Sequence, residues 1–478
     1  MKKLILFLSC SLWVTANWAI DNRLEKSVSA NLIYTDNSGL RSTNEESEFI
    51  VSVTPTISLH REAARSNIDL NAALEINSQN NGGENFNPRL QFDSNWELLE
   101  NHFFVDLGAT GAQYSSNPFT STSINSVNSG GDVTTNYDLE ISPYFINRFR
   151  RYADLEARYT YDKQINKGAV TNGSTSDIIN ISLNSGEVFS RIFWGLQYTK
   201  DEISSEQTTD SNFESYSANV GYAINRSWRI NGTVGIENND FTTTRSSNDG
   251  DFWSVDVVWT PSPRTSLTVG YDDRFFGGTP TLDFEHRFRR SAINLSYTKR
   301  VTNSSRLLRD QQVFQVVDQF GNTINPATGN PFLITSNLAT LNDVTFIDER
   351  LDGSYSYQGR RSNLTWNISR SRQSDERGIA GGSSSTLFDT GLTYTRELSR
   401  SNSLNTSVQF NKTEQATGAD SDRNQFNIGL SHQLAQNTSI DVNYSYSKQD
   451  ADNALAATIT RREYTENRLT VGFSHQFK

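Results

Sequence analysis

Ile440-Asp441-Val442-Asn443-Tyr444-Ser445-Tyr446-Ser447 is the stretch that decides the fold. Its apolar residues alternate one for one with polar ones. Successive side chains of an extended strand point to opposite faces, so the segment has one greasy face and one wet face. A helix would need apolar positions three and four apart, and that period is missing. The preceding segment repeats the pattern, with Phe426, Ile428 and Leu430 on one face and Asn427, Gly429 and Ser431 on the other. Near the start, Phe49, Val51, Val53, Pro55, Ile57 and Leu59 alternate with Ser52, Thr54, Thr56 and Ser58. Leu90, Phe92, Trp96 and Leu98 oppose Arg89, Gln91, Asp93, Asn95 and Glu97 in the same way. No shift in composition marks a second domain.

The connections come in two lengths that take turns. Short ones run from Leu98 to Asn101, Ile146 to Arg151, Ile224 to Ser227, Pro261 to Arg264, Glu397 to Ser401 and Ala435 to Asn437. Between them lie Gly-, Asn- and Ser-rich stretches such as Ser115 to Val133, Asn238 to Asp251, Asp375 to Ser384 and Lys448 to Arg461. Short periplasmic turns alternating with long outer loops mark outer-membrane barrels. A soluble sandwich would hide a Val-, Ile- and Leu-rich face and show a polar one. Here the apolar face is aromatic-rich near the strand ends, and the other is Asn, Ser, Thr and acid. The first must meet lipid and the second water.

The fold class expected is therefore all-β: a transmembrane antiparallel up-and-down β-barrel of about 22 strands. Closure leaves no unpaired backbone edge in lipid. To keep the parity of the turns, Arg306 to Gln319 must be an upward strand carrying Phe314 and Val316. Gly321 to Thr340, with Asn325-Pro326 and Asn330-Pro331, reads as the longest outer loop. The first strand starts by Ser27, with no sign of a plug domain before it. The run Phe284 to Arg290 changes phase relative to Ile293, Leu295 and Tyr297, which calls for a bulge or an extension above the membrane. The last strand places Leu469, Val471, Phe473, His475 and Phe477 on one face, and Lys478 follows the terminal aromatic. Bacterial barrels typically end on an aromatic that the barrel assembly machinery recognises, and Lys478 departs slightly from that pattern.

Composition agrees. The 478 residues are 35% hydrophobic and 11% aromatic, with a mean hydropathy of -0.58. Low hydropathy with abundant aromatics suits half-apolar strands. Residues 1–19 read as a signal peptide: Lys2 and Lys3, then apolar Leu4 to Val14, then cleavage after Ala16 or Ala19. Residues 20–478 then form a single barrel domain. The one cysteine, Cys10, lies in the apolar region, and Phe7-Leu8-Ser9 before it fits a lipidation box poorly. The net charge of -11 argues against nucleic acid.

No catalytic, cofactor-binding or metal-ligating pattern stands out. His60, His102, His286, His432 and His475 are scattered over different segments, and the last two share parity with lipid-facing residues. An enzyme is not expected, although a barrel wall could bring distant residues together. The inward faces say more. By parity the lumen receives Asp93, Glu97, Asp138, Glu140, Asp154 and Glu156, together with Asp69, Glu75, Asp106, Asp272 and Asp441, against few bases such as Arg89, Arg158 and Arg229. Rings of carboxylates bias a pore toward cations; a merely solvated wall is the plainer reading. Glu156 and Arg158 read as a structural pair. Phe104, Tyr144 and Phe193 point inward singly and form no continuous aromatic slide.

The segments Val53-Thr54-Pro55-Thr56-Ile57-Ser58-Leu59 and Ile141-Ser142-Pro143-Tyr144 resemble a known family. They are similar to the outer-membrane proteins associated with PEP-CTERM and exosortase exopolysaccharide loci, grouped among β-barrel porins. The likeness is one of layout over most of the chain, and that family lends no catalytic residues. The resemblance implies residence in the outer membrane and a part in exopolysaccharide production or export. The partners expected are outer-membrane lipid, the barrel assembly machinery and, through the resemblance, exopolysaccharide or export components. The alternative is a non-conducting surface scaffold whose loops bind polymer or partner proteins; a barrel-embedded hydrolase comes third.

Overall fold

The computed structural model describes residues 19–79, 83–115, 133–168, 173–206, 209–309, 344–376, 384–416, 420–451 and 463–477. The first strands are β1 (Ala19–Thr35), β2 (Glu48–Ala63), β3 (Ser66–Gln79), β4 (Gly83–Leu99), β5 (Phe103–Ser115), β6 (Val133–Phe149) and β7 (Ala153–Gly168). Next come β8 (Ser174–Ser185), β9 (Ile192–Ser205), β10 (Ser211–Ala223), β11 (Trp228–Asp240), β12 (Gly250–Ser262), β13 (Thr265–Arg274), β14 (Gly277–Arg287) and β15 (Ser291–Thr302). A short helix, α1 (Ser304–Arg309), precedes β16 (Phe346–Gln358), β17 (Ser362–Asp375), β18 (Ser384–Glu397) and β19 (Asn402–Gln415). The wall ends with β20 (Asp420–Ala435), β21 (Thr438–Ala451) and β22 (Tyr464–Phe477).

Every strand pairs antiparallel with its neighbours in sequence, and β22 closes on β1 from Lys26 opposite Phe477 to Thr35 opposite Arg468. The result is one closed barrel of 22 strands. No backbone edge is left open to lipid, which is what a β-protein needs to span a bilayer. The strands have 10 to 17 residues. A crossing takes about 9–11 residues, so the longest strands project beyond the hydrocarbon.

Register fixes the faces. Val442 pairs with Leu430 on one side and Val471 on the other, so their side chains share one face. Val442 is 43% exposed and Val234 63%, values that suit a lipid-facing wall and not a soluble core. Ile440 and Tyr444 lie on that outer face, Asp441 and Asn443 on the inner one. Aromatic pairs bound the apolar band: Tyr34 with Phe49 toward the long-loop end, Trp228 with Trp259 at the short-turn end. They form the interfacial girdles of such barrels. His432 and His475 face outward near short turns, bonded to Asn402 at 2.7 Å and Thr438 at 2.9 Å.

Two expectations need correction. Arg306 does not begin a strand: Ser304–Arg309 is helical, and β15 pairs directly with β16. Residues 310–319 lie outside the described residues, as does Gly321 to Thr340. The parity is kept instead by β14, joined to β13 through the two-residue connection Phe275-Phe276. Gly277, at φ +98, makes that tight reversal possible, and the Gly277-Gly278 pair hides the start of the strand from an alternation test. Phe284 to Arg290 is likewise no bulge or outward extension. It is the end of β14 and a turn, with Phe288 N–H donating to Ser291 O at 2.7 Å. Arg287, Arg289 and Arg290 therefore sit at the short-turn rim, and the phase changes because the chain reverses.

Candidate functional site: the lumen and its outer mouth

The inner wall divides into two halves along the barrel axis. In the half nearer the short turns, β4 to β7 bring Asp93, Glu97, Asp106, Asp154 and Glu156 onto one inner surface, with Glu140 at mid-height. Arg158 sits among them. Its guanidinium donates to Asp106 at 2.6 Å, Glu156 at 3.1 Å and Ser142 at 3.0 Å, and lies 3.7 Å from the centre of the Tyr144 ring. Phe104 stacks on the far side of the same network, 5.1 Å from Tyr144. The inward aromatics Phe104 and Tyr144 are thus adjacent and not single. Glu97 accepts from the Asn101 backbone N–H at the turn, and Asp93 from Gln91 at 3.1 Å. Asp93 and Asp154 are exposed.

The half nearer the long loops is different. Asn77, Asp162, Ser176, Ser447, Gln449 and Glu466 all face inward, yet each is at most 1% exposed. An empty barrel this wide would leave them wet. Among the described residues, α1 accounts for part of the filling. Asn303 caps it, its side-chain oxygen accepting from the Arg306 N–H at 3.0 Å. The helix leaves β15 but bonds to β7, β8 and β9, six to eight strands away, so it crosses the lumen. Gln164 donates to Ser305 O at 2.7 Å, and the Ser174 and Ser305 hydroxyls meet at 2.9 Å. Arg306 reaches Asp201 at 3.1 Å and lies over the Phe213 ring at 4.6 Å. Arg309 reaches Asp162 at 3.6 Å and Asp201 at 3.4 Å, and donates to Ser176 at 2.7 Å. Leu307 and Leu308 pack on Phe346, with Tyr114 beside them.

Asp138 belongs here, buried beside Asp162 and opposite Gln164 in the register. Buried carboxylates are costly unless paired, and the two arginines of α1 supply the positive charge. A second clasp adds to the closure. Arg245, between β11 and β12, grips Glu376 through two bonds of 2.6 and 3.1 Å, and Glu376 N–H donates to Thr345 O.

The six acids picked from the sequence are therefore split. Asp93, Glu97, Asp154 and Glu156 line the accessible half, Glu140 lies between, and Asp138 joins the latch. Arg306 and Arg309 were missed because a six-residue helix is too short to show a period, whereas Asp162 and Asp201 sit at inward parity on β7 and β9, where alternation could have named them. The inner face also carries Arg274, Arg300, Arg350, Arg423 and Arg468, bases the parity count passed over. Arg89 pairs with Glu75 at 3.3 Å. His60 meets Asp69 at 2.5 Å on the inner wall, but the serine next along that face, Ser58, donates to Asn71 instead. That arrangement does not direct a serine nucleophile toward its base. Among the described residues no group of His, Cys, Asp and Glu could hold a metal ion.

No protein-family model and no curated protein sequence matches the chain. In fold it is similar to the FrpB iron transporter of Neisseria meningitidis (F5-1 variant), 8% identical, with a TM-score of 0.53 over 95% of this chain and 82% of that one. It is also similar to the siderophore receptor PirA of Acinetobacter baumannii, 9% identical, with a TM-score of 0.51 over 96% of this chain and 81% of that one. Identities this low carry the fold alone. Neither neighbour is named for exopolysaccharide production, so that part of the resemblance gains no support. The closed wall, its lipid-facing band and these likenesses make the chain a 22-stranded β-barrel of the bacterial outer membrane.

Proposed function

We propose that the protein is a conduit across the outer membrane whose outer mouth is held shut by α1. One observation carries the reading: a polar-walled barrel is bridged by a helix pinned through Arg306 and Arg309 to acids of β7 and β9, six to eight strands around the wall. A permanent plug could be held as well by apolar packing, because buried ion pairs add little net stability over it. A charged latch differs in what happens on release. Its arginines and carboxylates pass into water, and the greasy surface bared is confined to Leu307, Leu308 and the side chains they cover, so opening costs less than withdrawing an apolar plug. Transport fits the size of the wall, and one of the similar structures, FrpB, is named an iron transporter.

The carboxylates of the accessible half, Asp93, Glu97, Asp154 and Glu156, then give the open path a cation bias. For cargo, the exopolysaccharide implied by the strand motifs draws support from the amides and hydroxyls facing inward on β19 to β21, such as Asn405, Ser407, Asn427 and Asn443. A strongly anionic polymer would be repelled by the acidic wall opposite. Removal of residues 1–19 as a signal peptide is part of the proposal, and β1 would keep its strand after either cleavage.

Planar-bilayer recording tests the conduit. The wild type should show little current, and the double variant Arg306→Ala, Arg309→Ala should open a large one. Identical currents in the two proteins would overturn the latch. The burial of the outer inner wall favours a second reading, a non-conducting surface scaffold. Silence of both proteins in the bilayer would support it.

A further inference from the structure

The short-turn rim from β6 to β19 carries a charge pattern that conduction does not use. The chain as a whole is acidic, yet these turns read Arg148-Phe149-Arg150-Arg151, Arg287-Phe288-Arg289-Arg290 and Arg360-Arg361. Arg191, Arg226, Arg264 and Arg400 stand on the turns between and beyond them, and all of these arginines are exposed. The acids of the same turns are Asp154, Glu187, Glu285 and Glu397, fewer than one for every two arginines. No lysine occurs there, whereas Lys163, Lys200, Lys412 and Lys448 lie toward the long-loop ends of their strands. Either cation would keep a rim wet. Only the planar fork of arginine grips a carboxylate through two parallel bonds.

Lipid headgroups do not account for the arc. Arg148 lies opposite the inward Asp154. The bonds that continue the ladders set Arg264 opposite Arg287, Arg290 opposite Gln358 and Arg361 opposite Glu397. All of these are inward register positions at the mouth, on the face away from lipid. Arg264 and Arg287 also put like charges across one ladder, an arrangement that costs stability. Among the described residues, Arg148, Arg191, Arg264, Arg290 and Arg361 form no ion pair, while Arg151 pairs with Glu187 at 3.6 Å.

We propose that this basic crescent is the docking surface for a periplasmic protein that presents a carboxylate-rich face to the inner mouth. Adjacent short turns stand about 12 Å apart, the width of two tilted strands. A small anion would meet one turn at a time, whereas a protein face of ordinary interface size spans several. A polyanion lying across the mouth would also meet the arc from β2 to β5. There Glu62, Asp69, Asp93, Glu97 and Glu100 outnumber Arg61 and Arg65. A folded partner can turn its acids to one arc alone. The docking goes beyond the conduit reading and does not depend on whether the lumen conducts.

Photocrosslinking in intact cells tests the surface. A photoreactive benzoylphenylalanine replacing Gln358 in the full chain should yield one discrete protein adduct. Its cross-linked face, mapped by mass spectrometry, should be rich in Asp and Glu. Arg264→Gln, Arg287→Gln, Arg290→Gln and Arg361→Gln together should lower the adduct at least tenfold. Lys163→Gln, Lys200→Gln, Lys412→Gln and Lys448→Gln, an equal change of charge at the other end, should not. Arg264→Gln alone relieves the facing like charges, so it should keep the barrel's heat stability and still lower the adduct severalfold. That variant keeps the test open if the fourfold one fails to assemble. A phospholipid or polysaccharide adduct, no adduct, a protein adduct without an acidic face, or one indifferent to the arginines would overturn the proposal.

Discussion

The two halves of the lumen use the same residue types to opposite ends. Around Arg158, the charges lie in part-exposed wall, and its acids sit on its own strand and on β5, two strands away on the same surface. Around Arg309, the acids are buried and belong to strands far from the helix that bears the arginine. The first network stiffens a surface that water still reaches, and the second ties one side of the barrel to the other. What distinguishes them is not composition but chain distance and burial. Those two variables set how much each ion pair is worth.

Removing one arginine from each half should produce the largest difference. Arg309→Ala leaves Asp162 and Asp201 buried with less positive charge, a loss of about 3–5 kcal/mol to the closed arrangement of α1. Arg158→Ala should cost about 1 kcal/mol, because solvent screens its partners. Hydrogen exchange of the α1 amides and urea unfolding in vesicles would measure the two, and equal losses would erase the distinction.

A second test asks whether the accessible half meets water on one face and lipid on the other. Val442→Arg should cost about 2–4 kcal/mol if the site lies near the bilayer midplane. Asn443→Arg, one residue away on the inner face, should cost well under half of that. Unfolding in lipid vesicles reads both, and comparable losses would mean that the faces are misassigned.

Thiol labelling sharpens the contrast further. Asp93→Cys should react with a water-soluble maleimide at least tenfold faster than Ser447→Cys, because the first is exposed and the second buried. Similar rates would show the outer half to be as wet as the inner. The smallest effect concerns selectivity. With the latch released, Asp93→Asn, Glu97→Gln and Asp154→Asn together should reduce the preference for potassium over chloride. The preference should shrink as salt rises, since screening takes hold within about 8 Å at physiological ionic strength. Chloride preference in the unaltered wall would refute the acidic lining.

The barrel was legible because its constraint is repeated in every strand: each must be greasy outside and wet inside, so Phe426 to Ser431 and Ile440 to Ser447 carry the same message. Inward acids could be named for the same reason, since parity needs no knowledge of neighbours. The latch left no such trace. Arg306 and Arg309 acquire meaning only when Asp162 and Asp201, more than a hundred residues away, are brought to them by closure. Nor could alternation reveal where β14 begins, because Gly277 and Gly278 offer no side chains to alternate.

Closure itself has a consequence for how the molecule is made. Every other seam joins strands adjacent in sequence, but the seam between β1 and β22 joins residues such as Thr35 and Glu466, 431 positions apart. Hairpins can form as soon as their two strands exist, whereas that last pairing must wait for the whole chain and bear the entropy of the longest loop in the protein. Until it forms, the first and last strands present bare hydrogen-bonding edges, which in a crowded periplasm invite aggregation. The rate-limiting event in maturation is therefore expected at this seam, and a helper that holds β22 until β1 arrives would act where spontaneous folding is slowest.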